Sequence, residues 1–138
     1  AKALAAAHQF LTFTTPPNLQ AGVAWGLEHH RAWFDDMPQD LQRSRDRLTA
    51  GLRAAGYVVL DSQGTYFLNV DLAASGIAVD DVTFCERCVT EHGVAAIPVS
   101  AFYAENPVTT VVRLCFAKAD ATLDAAIERL AAARAAYL

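Results

Sequence analysis

Three cysteines in 138 residues are too few for a disulfide framework, and only Cys85 and Cys88 lie near each other. With Cys115 distant, they fall short of the four ligands of a structural zinc site. No apolar run approaches the roughly 18 to 20 residues that span a bilayer, and no charged segment followed by an apolar stretch opens the chain. Membrane insertion and secretion are therefore not indicated, and a cytoplasmic location is expected. Lysine occurs twice against nine arginines, and the 11 basic residues are unclustered among 15 acidic ones. That distribution lacks the basic footprint of a nucleic-acid binder. The seven glycines are scattered, so there is no phosphate-cradling loop, and no serine stands in a G-x-S-x-G elbow. Methionine occurs once, at Met37, and the chain opens on alanine-rich Ala1-Lys2-Ala3-Leu4-Ala5-Ala6-Ala7 without a capping residue. The expectation is a chain that begins inside a larger protein.

What is present is apolar: 54% of the residues, against 19% charged, enough for one core in a chain of ordinary domain size. Helical composition runs to about Leu11, and Thr15-Pro16-Pro17 breaks it. Asn18 is placed to cap a second helix carrying Leu19, Val23, Leu27 and His30 on one face. Gly22 and Gly26 within it predict only close packing. Asp36, followed by Pro38 and Gln39, reads as a third helix start. That helix would bury Leu41, Leu48, Leu52 and Ala55, stop at Gly56, and show Arg43, Arg45, Arg47 and Arg53 to solvent.

The period then changes. Tyr57–Leu60 and Thr65–Val70 read as strands joined by a turn at Asp61-Ser62-Gln63-Gly64. Asp80 caps a helix with Val82, Cys85, Val89 and His92 along one side and Gly93 at its end. Val94–Ile97 reads as a short buried strand stopped by Pro98, Thr109–Phe116 as a longer strand, and Asp120 onward as a helix through Leu123, Ile127, Leu130 and Tyr137. The order implies an α/β domain of α+β, two-layer type, with helices packed on a small sheet.

Three features are candidate sites. Cys85 and Cys88 fall mid-helix, not at the helix start that activates a thiol, so inert cysteines are expected over redox or metal chemistry. His29 and His30 point about 100° apart on a helix, which disfavours a shared metal. Arg113 is different, because strand alternation sets it on one face with Val111 and Cys115, among apolar neighbours. A guanidinium there needs an anionic partner. Both an internal carboxylate and a ligand carboxylate satisfy that need, and the residues alone favour the internal ion pair.

Several runs occur together in order: His8-Gln9-Phe10-Leu11-Thr12-Phe13-Thr14-Thr15-Pro16, Arg45-Asp46-Arg47-Leu48, Gly64-Thr65-Tyr66-Phe67-Leu68, Ile97-Pro98-Val99-Ser100-Ala101-Phe102-Tyr103 and Val112-Arg113-Leu114-Cys115-Phe116-Ala117-Lys118. Over essentially the whole chain they resemble the C-terminal part of class I/II, fold-type I pyridoxal-phosphate aminotransferases, the kynurenine/glutamine and methionine branch above all. The resemblance implies that residues 1–30 are the end of a large domain and an interdomain helix, and that 31–138 form the C-terminal small domain. It implies an amino group moved between an amino acid and a 2-oxo acid through pyridoxal phosphate, in a homodimer.

Arg113 matches the family arginine that grips the substrate α-carboxylate, and the resemblance turns its reading toward the ligand. Phe13 and Thr14 match positions that reach the neighbouring subunit's site, where the second is often histidine. Tyr66 and Phe67 fit the small-domain strand and are expected to be core. Neither Lys2 nor Lys118 matches the lysine that forms the Schiff base, so no catalytic or cofactor-binding residue is assigned here and the fragment alone is expected to be inactive. A carbon–sulfur β-lyase and a non-catalytic binding or dimerisation module are the alternatives.

Overall fold

The computed structural model describes residues 1–11 and 13–137, which divide into two compact units, Ala1–Pro38 and Gln39–Leu138. The first unit holds α1 (Lys2–Leu11), α2 (Pro17–His29) and the beginning of α3 (Arg31–Ala54). Neither α1 nor α2 contains a buried residue. Asn18 does not cap α2: Pro17 occupies the first helical position, where its fixed φ suits the helix and its missing N–H costs nothing, and no side chain caps the end. Gly22 and Gly26 meet nothing within 4 Å of a Cβ built on either, so the expected close packing is not found there. Helix α3 starts at Arg31, five residues before Asp36, and runs through Pro38. An Arg31–Asp35 pair at 3.1 Å, one turn apart, supports its first turns.

In the second unit, Leu48 and Leu52 are buried, and Leu41 and Ala55 pack beside them, as the apolar spacing requires. Gly56 ends α3 with φ +86°, a conformation open to glycine, while the Tyr57 N–H donates to Leu52 and the Gly56 N–H to Arg53. The chain continues as β1 (Val58–Val59), β2 (Phe67–Asp71), α4 (Asp81–His92), β3 (Ile97–Pro98), a 3-10 turn (Val99–Phe102), β4 (Val111–Cys115) and α5 (Asp120–Ala135). The strands form one antiparallel sheet in the order β1-β2-β4-β3.

Leu68, Val70, Val112 and Leu114 point to one face and join Leu52, Phe84, Leu123 and Leu130 in the core. Burying side chains of this size is worth about 1.5–3 kcal/mol each before the entropy of ordering them. Tyr57, read as strand, is core instead; its ring lies edge-on to Phe84 and its hydroxyl donates to the Leu130 carbonyl at 2.7 Å.

Four details differ from the sequence reading. The buried side of α4 is Asp81, Phe84, Cys85 and Cys88, whereas Val82 and Val89 are 42% and 54% exposed. The helix is rotated by about one residue because Phe84, the largest apolar group in it, takes the core. The β3 strand contains Pro98 and exposes Ile97; it is an edge strand, where a missing N–H is tolerated. In the β1–β2 loop the left-handed residue is Thr65, φ 63°, and its hydroxyl accepts from the Phe67 N–H. Arg47 reaches across to α5, meeting Asp124 at 2.7 Å and Asp120 at 3.3 Å, so it is a tie between two helices.

Candidate functional site

The sheet face away from the helices carries Phe67, Asn69 and Asp71 from β2 and Val111, Arg113 and Cys115 from β4, with Ile97 from β3 on the far side. Pairing sets Arg113 directly between Asn69 and Ile97, which makes Phe67 and Asp71 its diagonal neighbours on β2. The guanidinium carbon lies 4.2 Å from the Phe67 ring centroid and 4.3 Å from that of Phe102, which the 3-10 turn after β3 supplies. Arg113 is thus flanked by two aromatic rings. Such contacts contribute about 0.5 to 2 kcal/mol each, more where water is excluded.

No internal carboxylate takes the guanidinium. Among the described residues Arg113 has no ion pair, and its Nε is buried without a hydrogen-bond partner. Asp71, the acid diagonal to it, turns instead to accept from the Ala74 N–H at 2.9 Å. The internal ion pair that the residues alone favoured is therefore not what the structure contains. A buried N–H donor without an acceptor is costly, and the guanidinium's N–H donors all lie in its own plane. A planar anion meeting that edge would be held by two parallel hydrogen bonds.

Phe67 departs from expectation, because it stacks on Arg113 on the outer face, not in the core, and Tyr66 is half exposed. Phe102 carries no signal of its own in the sequence; only the β3–β4 pairing and the turn after β3 reveal that it meets Arg113. Phe13 and Thr14 belong to the first unit. Phe13 has φ 48° and is 84% exposed, and the Thr14 hydroxyl donates to the Thr15 carbonyl at 3.3 Å.

The other candidates are quiet. Burial pushes the Cys85 thiol up to about 12 and the Cys88 thiol up to about 11, which suppresses the reactive thiolate. The His29 Nδ1 meets the Trp25 carbonyl at 2.9 Å, and its ring stacks on that of Trp25. Among the described residues no three His, Cys, Asp or Glu side chains cluster to hold a metal, and no helix is long and apolar enough to cross a membrane.

Comparison with known proteins defines the class to which this fold and face belong. The family model described as aminotransferase class I and II matches residues 1–130. The chain belongs to the class I and II aminotransferase family. It is 42% identical over 123 residues to the methionine aminotransferase of Escherichia coli (strain K12), covering 89% of this chain and 32% of that protein. It is 31% identical over 149 residues to human kynurenine--oxoglutarate transaminase 1, covering 94% and 35%. The solved N-succinyldiaminopimelate aminotransferase of Mycobacterium tuberculosis matches with a TM-score of 0.81 at 43% identity, over 93% of this chain and 33% of that one. The chain therefore spans about a third of the length of the relatives it matches.

Class I and II aminotransferases use pyridoxal phosphate, and the residues of this chain do not fit that group. Its two lysines are exposed, Lys2 on α1 and Lys118 beyond the end of β4, and neither is part of the sheet that carries Arg113.

Proposed function

We propose that this chain is the carboxylate-binding part of an aminotransferase that moves an amino group from an amino acid to a 2-oxo acid. The observation that carries the proposal is Arg113, with its guanidinium over the rings of Phe67 and Phe102, its Nε buried without a partner and, among the described residues, no ion pair to an internal acid. Two in-plane hydrogen bonds from the guanidinium fix the plane of a substrate carboxylate and, with it, the direction of the amine and the Cα–H. Orientation of that kind converts binding energy into rate. Amino acid and 2-oxo acid share the carboxylate, so one arginine serves both halves of the exchange.

In this reading residues 1–30 are the edge of a large domain and an interdomain helix, and 31–138 are the small domain. Pyridoxal phosphate is held by parts of the protein outside this chain. Phe13 and Thr14 extend toward the neighbouring subunit's site in a cytoplasmic homodimer; the exposure of Phe13 supports that role. This chain alone, supplied with pyridoxal phosphate, forms no 2-oxo acid.

The test is turnover by the full-length protein that carries the chain. Oxo-acid formation from methionine or glutamine supports the proposal. Pyruvate and sulfide from cysteine, without amino transfer, would make the protein a β-lyase, and neither activity would make it a binding module.

A further inference from the structure

Asp81 is fully buried, and the site described above does not use it. It is the first residue of α4, next to the capping Asp80, and it faces inward. Its Oδ2 accepts from the backbone N–H of Ser100 at 2.7 Å, and its own N–H donates to the Thr109 carbonyl at 2.8 Å. One residue thus ties the 3-10 turn Val99–Phe102 and the entry to β4 to the same helix end. The turn carries Phe102 and the strand carries Arg113, the two partners of one stacking contact. Its Oδ1 is buried without a hydrogen-bond partner. An apolar side chain would fill that space without such a cost, so packing alone gives no reason for an acid.

We propose that Asp81 is a positioning residue for the Arg113 site: by holding the Ser100 N–H it fixes the turn that keeps Phe102 on the guanidinium. The proposal rests on the reading of Arg113 as the carboxylate-binding residue. Asp81 touches no substrate and acts only through the turn.

The experiment is steady-state kinetics of the full-length protein with methionine as amino donor, or with glutamine if that is the donor it turns over. Loss of the hydrogen bond that holds the turn predicts that Asp81→Ala raises KM for the donor by about tenfold, with kcat within about twofold of the parent. Asp81→Asn, which keeps an acceptor for Ser100, should recover most of that loss. Phe102→Leu should raise KM similarly, and adding Asp81→Ala to it should change KM little further, because both act on one contact. Hydrogen exchange at residues 99–103 should quicken in Asp81→Ala.

An unchanged KM, or effects that simply add, overturns the proposal if Arg113→Lys still raises KM. An unchanged KM in Arg113→Lys, or no turnover with either donor, overturns the underlying reading, and this proposal with it. If Asp81→Ala does not fold, Asp81→Asn decides: KM raised about two- to threefold with faster exchange at Ser100 supports the role, and parental values of both contradict it.

Discussion

Gly51 lies in the last turn of α3, inside the helix, where alanine would ordinarily be better by up to about 1 kcal/mol of helix propensity. A Cβ built there falls 2.4 Å from Cδ1, 2.8 Å from Cγ1 and 2.9 Å from Cγ2 of Ile127 on α5. Had only Cδ1 been close, rotation of the side-chain tip would relieve the clash. With both γ carbons inside contact distance, the whole branched side chain must move, and its χ1 is stiff. Overpacking of this kind costs about 1–3 kcal/mol, which exceeds or cancels the propensity gain. Gly51→Ala is therefore expected to destabilise by up to about 2 kcal/mol and to lower Tm by several degrees, read by thermal or urea unfolding. Removing the obstruction reverses the sign: Ile127→Ala should cost less in the Gly51→Ala background than in the parent. A Gly51→Ala protein with raised Tm and no coupling to Ile127 would refute the close approach of α3 and α5.

Other consequences follow from the same packing. Leu52→Ala, at a position with no exposure, should cost about 2–5 kcal/mol in chemical denaturation. Cys85 and Cys88, with thiols raised by burial, should resist iodoacetamide at about pH 8 while the protein is folded and react on unfolding. Hydrogen bonds from Thr83 hold Asp80 below the usual carboxylate range, and those from Arg47 do the same for Asp124. Groups depressed in the folded state stabilise it above their ordinary pKa, about 4, and lose that contribution as pH falls through the folded value. Acid unfolding should accordingly be less steep in Asp80→Ala and Asp124→Asn, each less stable than the parent at about pH 7.

The parts of the fold legible in the sequence are those set by local chemistry. Asp80 caps α4 by accepting from the Thr83 N–H at 2.8 Å, Gly56 and Gly93 end their helices with positive φ, and the leucines of α3 and α5 fall in the core. What was not legible depends on neighbours distant in sequence. The burial of Asp81 in place of Val82 follows from how Phe84 seats against Tyr57. Phe67 lies outside the core because alternation along β2 gives the inner face to Leu68 and Val70, and which face is inner is decided by the helices that pack on the sheet. Arg113 was visible as a desolvated cation needing an anion. That Asp71 is committed to Ala74, and that Phe67 and Phe102 both lie against the guanidinium, required the sheet.

The central claim is that Arg113 holds a carboxylate. It is tested most directly by comparing Arg113→Ala with the parent in the full-length protein. The account predicts a strongly raised KM and a kcat/KM lowered by about 100-fold or more, the scale of a lost bidentate charge-assisted pair, with the cofactor's absorbance unchanged. Unchanged kinetics in a folded, cofactor-loaded Arg113→Ala protein would contradict it.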